Sequence, residues 1–156
     1  MKSRPPSLSI GDIIEISTNK GFGYAQYTHN NPLMGYLIRV LPGIFEAPIK
    51  EFRKIVISKE LYHTFVVWPP LEGDKYVRLV GKESIPKRSQ TFPQFRAPMR
   101  NLRTGEITAW WLWDGKNEWQ IPKLLDDQRS LSIRQLWPDV YLSKRVEEGW
   151  LPSWEV

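Results

Sequence analysis

The sequence predicts an α+β fold, a mainly antiparallel β-sheet that is strongly curled or partly barrel-like, with a short C-terminal helix. Short β-branched and aromatic runs separated by turn residues recur along most of the chain, as in antiparallel sheets. The thirteen prolines are scattered and not gathered in one linker, which is typical of strand ends and turns. No break in composition divides the 156 residues, so we expect one domain over residues 1–156, with residues 1–8 as a flexible leader.

The opening predicts a three-stranded meander. The turn Gly11-Asp12 introduces the β-branched run Ile13–Ile16. Two further strand candidates, Gly23–Thr28 and Met34–Val40, flank the turn-rich connection His29–Pro32. Glycines inside these strands indicate bulges or close backbone approach, which bend a small sheet toward a barrel: Gly23 and Gly35.

The middle of the chain carries three more candidate strands with at least one buried face. They are Ile55–Ile57, Thr64–Trp68 and Tyr76–Val80. Pro69-Pro70 and Glu72-Gly73-Asp74 separate the last two.

A tryptophan-rich hairpin is predicted next. Its arms are Thr108–Trp113 and Glu118–Ile121, joined by a turn with an Asp114-Gly115 signal. The run Trp110–Trp113 does not alternate between apolar and polar residues, so both faces of this arm should be covered, either by the core or by a partner. Trp110 and Trp113 are therefore candidate partner contacts.

The end of the chain changes to a helical period. Ser132–Gln135 fits a capping-box pattern, and Pro138 interrupts it. Asp139 can cap a helix over Val140–Glu148, with Gly149 as its terminator. Three residues at i, i+4 and i+8 would form the buried stripe of this helix: Leu142, Val146 and Trp150.

Positive charge is concentrated in one segment. The chain has a net charge of +5, but Lys75–Arg103 alone has eight Lys and Arg against the single acid Glu83. Such a segment is a candidate surface for an acidic protein or a phosphate backbone, the alternative being a solvated face without a partner. Its basic residues are Lys75, Arg78, Lys82, Lys87, Arg88, Arg96, Arg100 and Arg103.

No catalytic or cofactor motif stands out. Without Cys, thiolate chemistry and Cys-ligated zinc are excluded, and the two histidines, His29 and His63, fit a turn and a strand better than a triad or a metal site. The third glycine of a dinucleotide fingerprint starting at Gly21 would fall on Gln26. We therefore expect no metal and no cofactor.

The acidic residues also lack an obvious catalytic pair. Asp126-Asp127 and Glu147-Glu148 are adjacent in sequence, so each pair diverges on a regular element and fits a solvated surface. Asp12 fits a turn, and Glu15 fits the solvent face of the first strand. An enzyme that uses carboxylates alone is the third functional alternative, after protein binding and nucleic-acid binding.

Nucleic-acid binding is the alternative to protein binding. The segment Thr91–Arg96, followed by Arg100 and Arg103, interleaves aromatic and basic residues, as surfaces that hold single strands do. No helix-turn-helix or zinc-finger pattern accompanies it. Weak, non-specific nucleic-acid binding is the minimum expectation for this charge.

The sequence predicts a cytoplasmic location. It shows no signal-peptide pattern, no apolar stretch of the roughly 20 residues that a membrane span needs, and no cysteine that would ask for an oxidising compartment.

The opening motifs Gly11–Ile16 and Gly23–Tyr27 resemble those of the immunity protein 26 family of bacterial polymorphic toxin systems. The resemblance covers roughly Leu8–Arg96 and continues through further segments in the same order: Phe65–Pro70, Tyr76–Gly81, Ile85-Pro86 and Phe92–Arg96.

The resemblance implies a cytoplasmic, non-enzymatic bacterial protein that binds and neutralises a cognate toxin encoded nearby. It carries over no functional residue. Because the chain is basic, we expect the toxin to present an acidic surface.

Overall fold

The structure, a computed structural model, describes residues 8–67 and 74–155. Within these residues the fold is α+β and mostly antiparallel. The strands are β1 (Asp12–Thr18), β2 (Gly21–Asn31), β3 (Gly35–Val40), β4 (Tyr62–Val66), β5 (Val77–Lys82), β6 (Phe95–Arg100), β7 (Ile107–Trp113), β8 (Glu118–Ile121), β9 (Ser132–Ile133) and β10 (Leu136–Trp137). The helices are α1 (Arg53–Val56) and α2 (Asp139–Glu148), and short 3-10 turns occur at Lys87–Ser89, Asp126–Gln128 and Pro152–Trp154.

The predicted meander is confirmed and forms the centre of a six-stranded sheet. The strand order is β10-β4-β3-β2-β1-β5, with antiparallel pairing except between β10 and β4. The tight turn between β1 and β2 needs Gly21, which has φ +133°. A Cβ there would lie 2.3 Å from the carbonyl oxygen of Phe45.

One face of this sheet is covered by the predicted C-terminal helix. Helix α2 begins at Asp139 and ends at Glu148, and the left-handed backbone of Gly149 terminates it. Its stripe Leu142, Val146 and Trp150 is buried in the largest apolar cluster, as expected. Gly23 allows this packing, because a Cβ on it would lie 2.6 Å from a methyl group of Val146.

The opposite face is covered in part by the chain between β3 and β4. The predicted strand Ile55–Ile57 is wrong, since Arg53–Val56 forms the single turn of α1. This turn packs Ile55 and Val56 onto Tyr24 and its neighbours. It also points the carbonyl oxygens of Val56 and Ser58 at the Arg39 guanidinium, which binds the orphan carbonyls at the helix end.

The rest of that face packs on a four-stranded sheet of order β8-β7-β6-β9. Leu37 and Phe65 of the first sheet meet Phe95 and Trp113 of the second. The predicted hairpin is confirmed, with Trp113 paired to Glu118 across the turn. Gly115 in this turn has φ +97°.

Of the other predictions, one is not confirmed, one is wrong, and some concern residues outside the described ranges. Strong curl or partial barrel closure is not confirmed, because neither sheet is closed or strongly curled in the part of the chain described. The capping-box prediction at Ser132–Gln135 is wrong. These residues belong to β9 and its link to β10, and the Ser132 hydroxyl accepts the amide hydrogen of His63. Trp68, Pro69-Pro70 and Glu72-Gly73 lie outside the described residues, as does the predicted leader apart from Leu8, which packs against the core.

Candidate functional site

The predicted basic surface is divided among separate places in the fold. Arg78 and Lys82 are exposed on β5, an edge strand of the six-stranded sheet, and Lys75 is exposed just before it. Lys87 and Arg88 are exposed in a 3-10 turn, where Arg88 donates to the carbonyl oxygen of Ile57 just after α1. Arg96 and Arg100 lie instead on β6, in the four-stranded sheet.

The Arg78 side chain is partly neutralised by Glu15. Arg78 Nε donates to Glu15 Oε1 at 2.8 Å, and the hydroxyl of Tyr24 donates to Glu15 Oε2 at 2.9 Å. Glu15 is 2% exposed, so its predicted position on the solvent face is wrong. A buried carboxylate is retained because both its oxygens accept hydrogen bonds.

Arg96 is fully buried, which corrects its assignment to a partner surface. It lies on β6 but turns its guanidinium toward the C-terminal part of the chain. The pKa of Arg96 is lowered, mainly by burial and also by the nearby Arg129, and the Glu155 carboxylate opposes this shift. The guanidinium donates to four backbone carbonyl oxygens, those of Arg129, Leu131, Pro152 and Glu155.

Trp110 and Trp113 are also interior residues, which corrects their assignment as partner contacts. They are 7% and 4% exposed, whereas Trp111 between them is 36% exposed. Trp113 packs between the sheets beneath Arg134, whose guanidinium carbon lies 3.9 Å from the indole centre. Trp110 packs on the other face of β7 with Leu112 and Leu124.

The remaining predicted residue with a distinctive setting is Arg100, at the end of β6. It lines a cavity of about 590 Å³, which we call the basic cavity. Three exposed cations from separate segments line this cavity: Arg100, Lys123 and Arg129. Its other lining side chains include Trp110, Leu124 and the single acid Glu106.

The cations of the basic cavity are poorly neutralised. Arg100 donates through Nη1 to the carbonyl oxygen of Gly105 at 2.9 Å, and neither Arg100 nor Lys123 forms a salt bridge with a carboxylate among the described residues. Arg129 lies 3.7 Å from the fully exposed carboxylate of Asp126, a weak pairing in water. The cavity therefore carries an excess of positive charge.

Sequence reasoning missed Lys123 and Arg129, because they lie in the acidic second half of the chain. The hairpin returns β8 to the side of β7, which brings Lys123 close to Arg100. Two strongly exposed leucines adjoin the same cavity in sequence: Leu102 in the turn after Arg100, and Leu125 beside the lining residue Leu124. Arg103 is exposed in that same turn, beside Leu102.

A second polar cluster is buried under the six-stranded sheet. Arg39 is fully buried and donates to Gln26 Oε1 at 2.9 Å and to Glu60 Oε2 at 3.2 Å. His63 Nε2 lies 3.7 Å from Glu60 Oε1, and Ser89 donates to Glu60 at 2.9 Å. Burial lowers the pKa of His63 to about 4 despite the opposing effect of Glu60. The cluster holds α1 and the Lys87–Ser89 turn against the sheet, which is a structural role.

The two histidines occupy strands. His63 lies in β4, as predicted. His29 lies in β2 and not in the predicted turn, and its ring contacts the Thr28 hydroxyl at 2.9 Å and the carbonyl oxygen of Gln90 at 2.8 Å. These contacts join β2 to the segment that leads into β6.

The structure brings together one carboxylate pair that the sequence did not suggest. Burial, together with a hydrogen bond and repulsion from Asp74, raises the pKa of Asp139 at the start of α2. Both carboxylates also accept backbone amides: Asp74 from Tyr76 and Val77, and Asp139 from Val140. Asp74 closes a turn, and Asp139 lies in the first turn of α2, where a carboxylate is favourable near the helix N-terminus, so both acids have structural roles. The predicted cap at Asp139 is wrong, because Pro138 occupies the N-cap position without a side-chain cap.

Other candidate chemistry is absent from the described ranges, residues 8–67 and 74–155. No group of three or more His, Asp or Glu is placed there to hold a metal ion. Gly21 and Gly23 lie in β2, so this pair of glycines forms no phosphate loop. Among these residues no helix has the length and apolar character needed to cross a membrane.

No protein-family model, curated protein or solved structure matches the chain.

Proposed function

We propose that this protein is an immunity protein that acts in the cytoplasm, without catalysis, by binding a cognate bacterial toxin directly. The basic cavity on the four-stranded sheet is the contact surface in this proposal, and the toxin presents an acidic element to it. The resemblance of the opening segments to the immunity protein 26 family supplies the partner class.

The observation that carries the proposal is the combination of cations and apolar side chains in one cavity. Arg100, Lys123 and Arg129 line the basic cavity together with the apolar residues Ile107, Trp110, Pro122 and Leu124. Protein interfaces combine apolar contacts with complementary charge. The same set of residues gives an acidic protein both charge and apolar contacts.

The placement of the other polar side chains supports a binding role. Arg39 and Glu60 hold α1, Arg96 holds the C-terminal segment, and Glu15 fixes Tyr24. Each of these buried groups is engaged in stabilising the fold, so the exposed surface remains as the functional region.

The distribution of charge favours a protein over a nucleic acid. A single strand needs cations that follow the phosphates and exposed aromatic faces on which bases stack. Here the basic residues of β5 and of the Lys87–Ser89 turn do not line the basic cavity, and Trp110 is 7% exposed with Arg96 against its ring.

The test is protection of cells by co-expression with the toxin encoded beside this gene. We expect the wild-type chain to restore growth and to co-purify with the toxin. The double variant Arg100→Glu with Lys123→Glu should lose both properties, while Lys82→Glu with Lys87→Glu, which makes the same charge change elsewhere, should retain them. Growth arrest that the wild-type chain does not relieve would refute the proposal.

A further inference from the structure

We infer that the basic cavity is a carboxylate-binding site, which accepts a short peptide segment with neighbouring Asp or Glu side chains and an apolar residue beside them. This inference rests on the proposed function for its biological partner but predicts binding of the peptide by itself.

The cavity has a size and charge that fit such a segment. Its volume of about 590 Å³ lies within the usual range for ligand sites, roughly 300–1,000 Å³. Its cations come from three separate segments: β6, the chain after β8 and the end of the Asp126–Gln128 turn. Glu106 is the single acid lining the cavity against these three cations.

Arg100 retains the donors that a carboxylate requires. Its Nη1 donates to the carbonyl oxygen of Gly105, which fixes the guanidinium near the turn Asn101–Glu106. The Nε and Nη2 hydrogens are then available for a bidentate pair with a carboxylate, the geometry that the planar guanidinium favours. Lys123 adds a mobile point charge that can reach a second carboxylate.

A buried cation, Arg96, packs against one of the residues that line the cavity. Its guanidinium carbon lies 4.8 Å from the centre of the Trp110 ring, and Trp110 lines the cavity. All four of its hydrogen-bond acceptors are carbonyl oxygens, and its buried Nη1 has no hydrogen-bond partner in the part of the chain described. Although the Glu155 carboxylate acts on it from a distance, this buried cation has only carbonyl oxygens as hydrogen-bond partners, and charges interact more strongly in the interior than in water. An anion in the cavity would lower this electrostatic energy.

The apolar lining decides between an acidic peptide and a phosphate group. Ile107, Pro122 and Leu124 line the cavity with the cations, and an apolar residue next to the carboxylates would pack on them. A phosphodiester chain offers no such apolar group.

The experiment measures binding by calorimetry and the melting temperature of the full chain at low ionic strength. The probe is a synthetic peptide of eight residues with four Asp or Glu and two Leu. Its comparisons are the peptide with Asn and Gln in place of the acids, the acidic peptide with Ser in place of Leu, inorganic phosphate, and a single-stranded oligonucleotide. We expect the acidic leucine peptide to raise the melting temperature and to bind at least about tenfold more tightly than either altered peptide.

The variants locate the site. Arg100→Glu with Lys123→Glu should weaken the acidic peptide at least about tenfold. Lys82→Glu with Lys87→Glu has the same net charge and should bind like the wild type. All four positions are exposed, so both variants should fold, and their unliganded melting temperatures check this.

The outcomes separate this inference from the proposed function. Equal binding of the acidic and amide peptides, equal losses in the two variants, or tighter binding of phosphate or the oligonucleotide would overturn the carboxylate site. If the wild-type chain protects cells and the Arg100→Glu with Lys123→Glu variant does not, yet the acidic peptide binds no better than the amide peptide, the inference fails and the proposed function stands. If the peptide binds as expected and the toxin is not neutralised, the inference stands and the proposed function fails.

Discussion

The guanidinium carbon of Arg96 lies 4.8 Å from the centre of the Trp110 ring, in the interior beside the four-stranded sheet. The same guanidinium donates to the carbonyl oxygens of Pro152 and Glu155. The Arg96 side chain thus connects β6 with β7 and with the end of the described chain. Although charged residues are usually exposed, Arg96 is buried and fixes the C-terminal segment to the sheet.

Replacement of Arg96 by Met tests this role. The change removes the donors and leaves buried carbonyl oxygens unpaired, so we expect the free energy of unfolding to fall by at least about 2 kcal/mol. Urea denaturation measures the loss. Arg100→Met is the matched control, since Arg100 is exposed, and it should change stability by less than about 0.5 kcal/mol. Equal stability of the two variants would show that the carbonyl contacts do not hold the segment.

The tryptophans of β7 should differ according to their burial. Trp113 packs on Phe65 and Phe95 between the sheets, so Trp113→Ala should lower the free energy of unfolding by about 3–5 kcal/mol. Trp111, 36% exposed, should cost less than half as much when replaced by Ala. Thermal and urea unfolding of both variants provide the comparison. A melting temperature unchanged in both would contradict the packing of the two sheets.

The elements that the sequence predicted correctly are those whose causes lie within a few residues of one another. The meander, the Asp114-Gly115 hairpin and the helix ending at Gly149 depend on turn chemistry and periodicity within a few residues. Ile55–Ile57 misled because its β-branched residues favour a strand, while burial against Tyr24 selects one helical turn.

The site was less predictable because its contacts join residues distant in sequence. Arg96 binds the carbonyl of Pro152, 56 residues away, and Glu15 binds Arg78, 63 residues away. Charge counting along the chain places both arginines in one basic segment and cannot show that one of them is buried. For the same reason it separates Lys123 from Arg100, which the return of β8 brings to one cavity.

Acidification should destabilise the protein through His63. Burial lowers the pKa of His63 to about 4, whereas in the unfolded chain it returns to its ordinary value of about 6.5. Between these values the unfolded chain binds more protons, so the free energy of unfolding falls as the pH decreases from about 6.5 to about 4. Between pH 7 and pH 5 the loss should reach about 2 kcal/mol.

The variant His63→Gln identifies the source of this pH dependence. Glutamine cannot titrate, so the change in the free energy of unfolding between pH 7 and pH 5 should be much smaller than in the wild type. The pKa of the neighbouring Glu60 is lowered, because its hydrogen bonds and the nearby cations outweigh the effect of burial. Glu60 therefore stabilises the fold until the pH falls below the ordinary pKa of a glutamate, which lies below the interval from pH 7 to pH 5. An equal pH dependence in wild type and variant would assign the effect to another group.

The last prediction concerns nucleic acid. The exposed cations that remain after Arg96 is assigned to the interior should attract any polyanion, and neutralised phosphates release counterions, so such binding should fall steeply and linearly on a logarithmic scale as salt rises. We expect weak binding to generic DNA and RNA, with dissociation constants of about 10⁻⁴–10⁻⁶ M at physiological salt and no complex retained at higher ionic strength. Arg100→Glu with Arg103→Glu should reduce this background, because both side chains are exposed at the end of β6 and in its following turn. Under the proposed function, toxin binding should instead survive moderate salt, since apolar contacts govern dissociation while charge mainly accelerates association. Fluorescence anisotropy with labelled oligonucleotides over a salt series measures the first property. Submicromolar, sequence-selective binding at physiological salt, lost in the double variant, would make nucleic-acid recognition the main function of this surface.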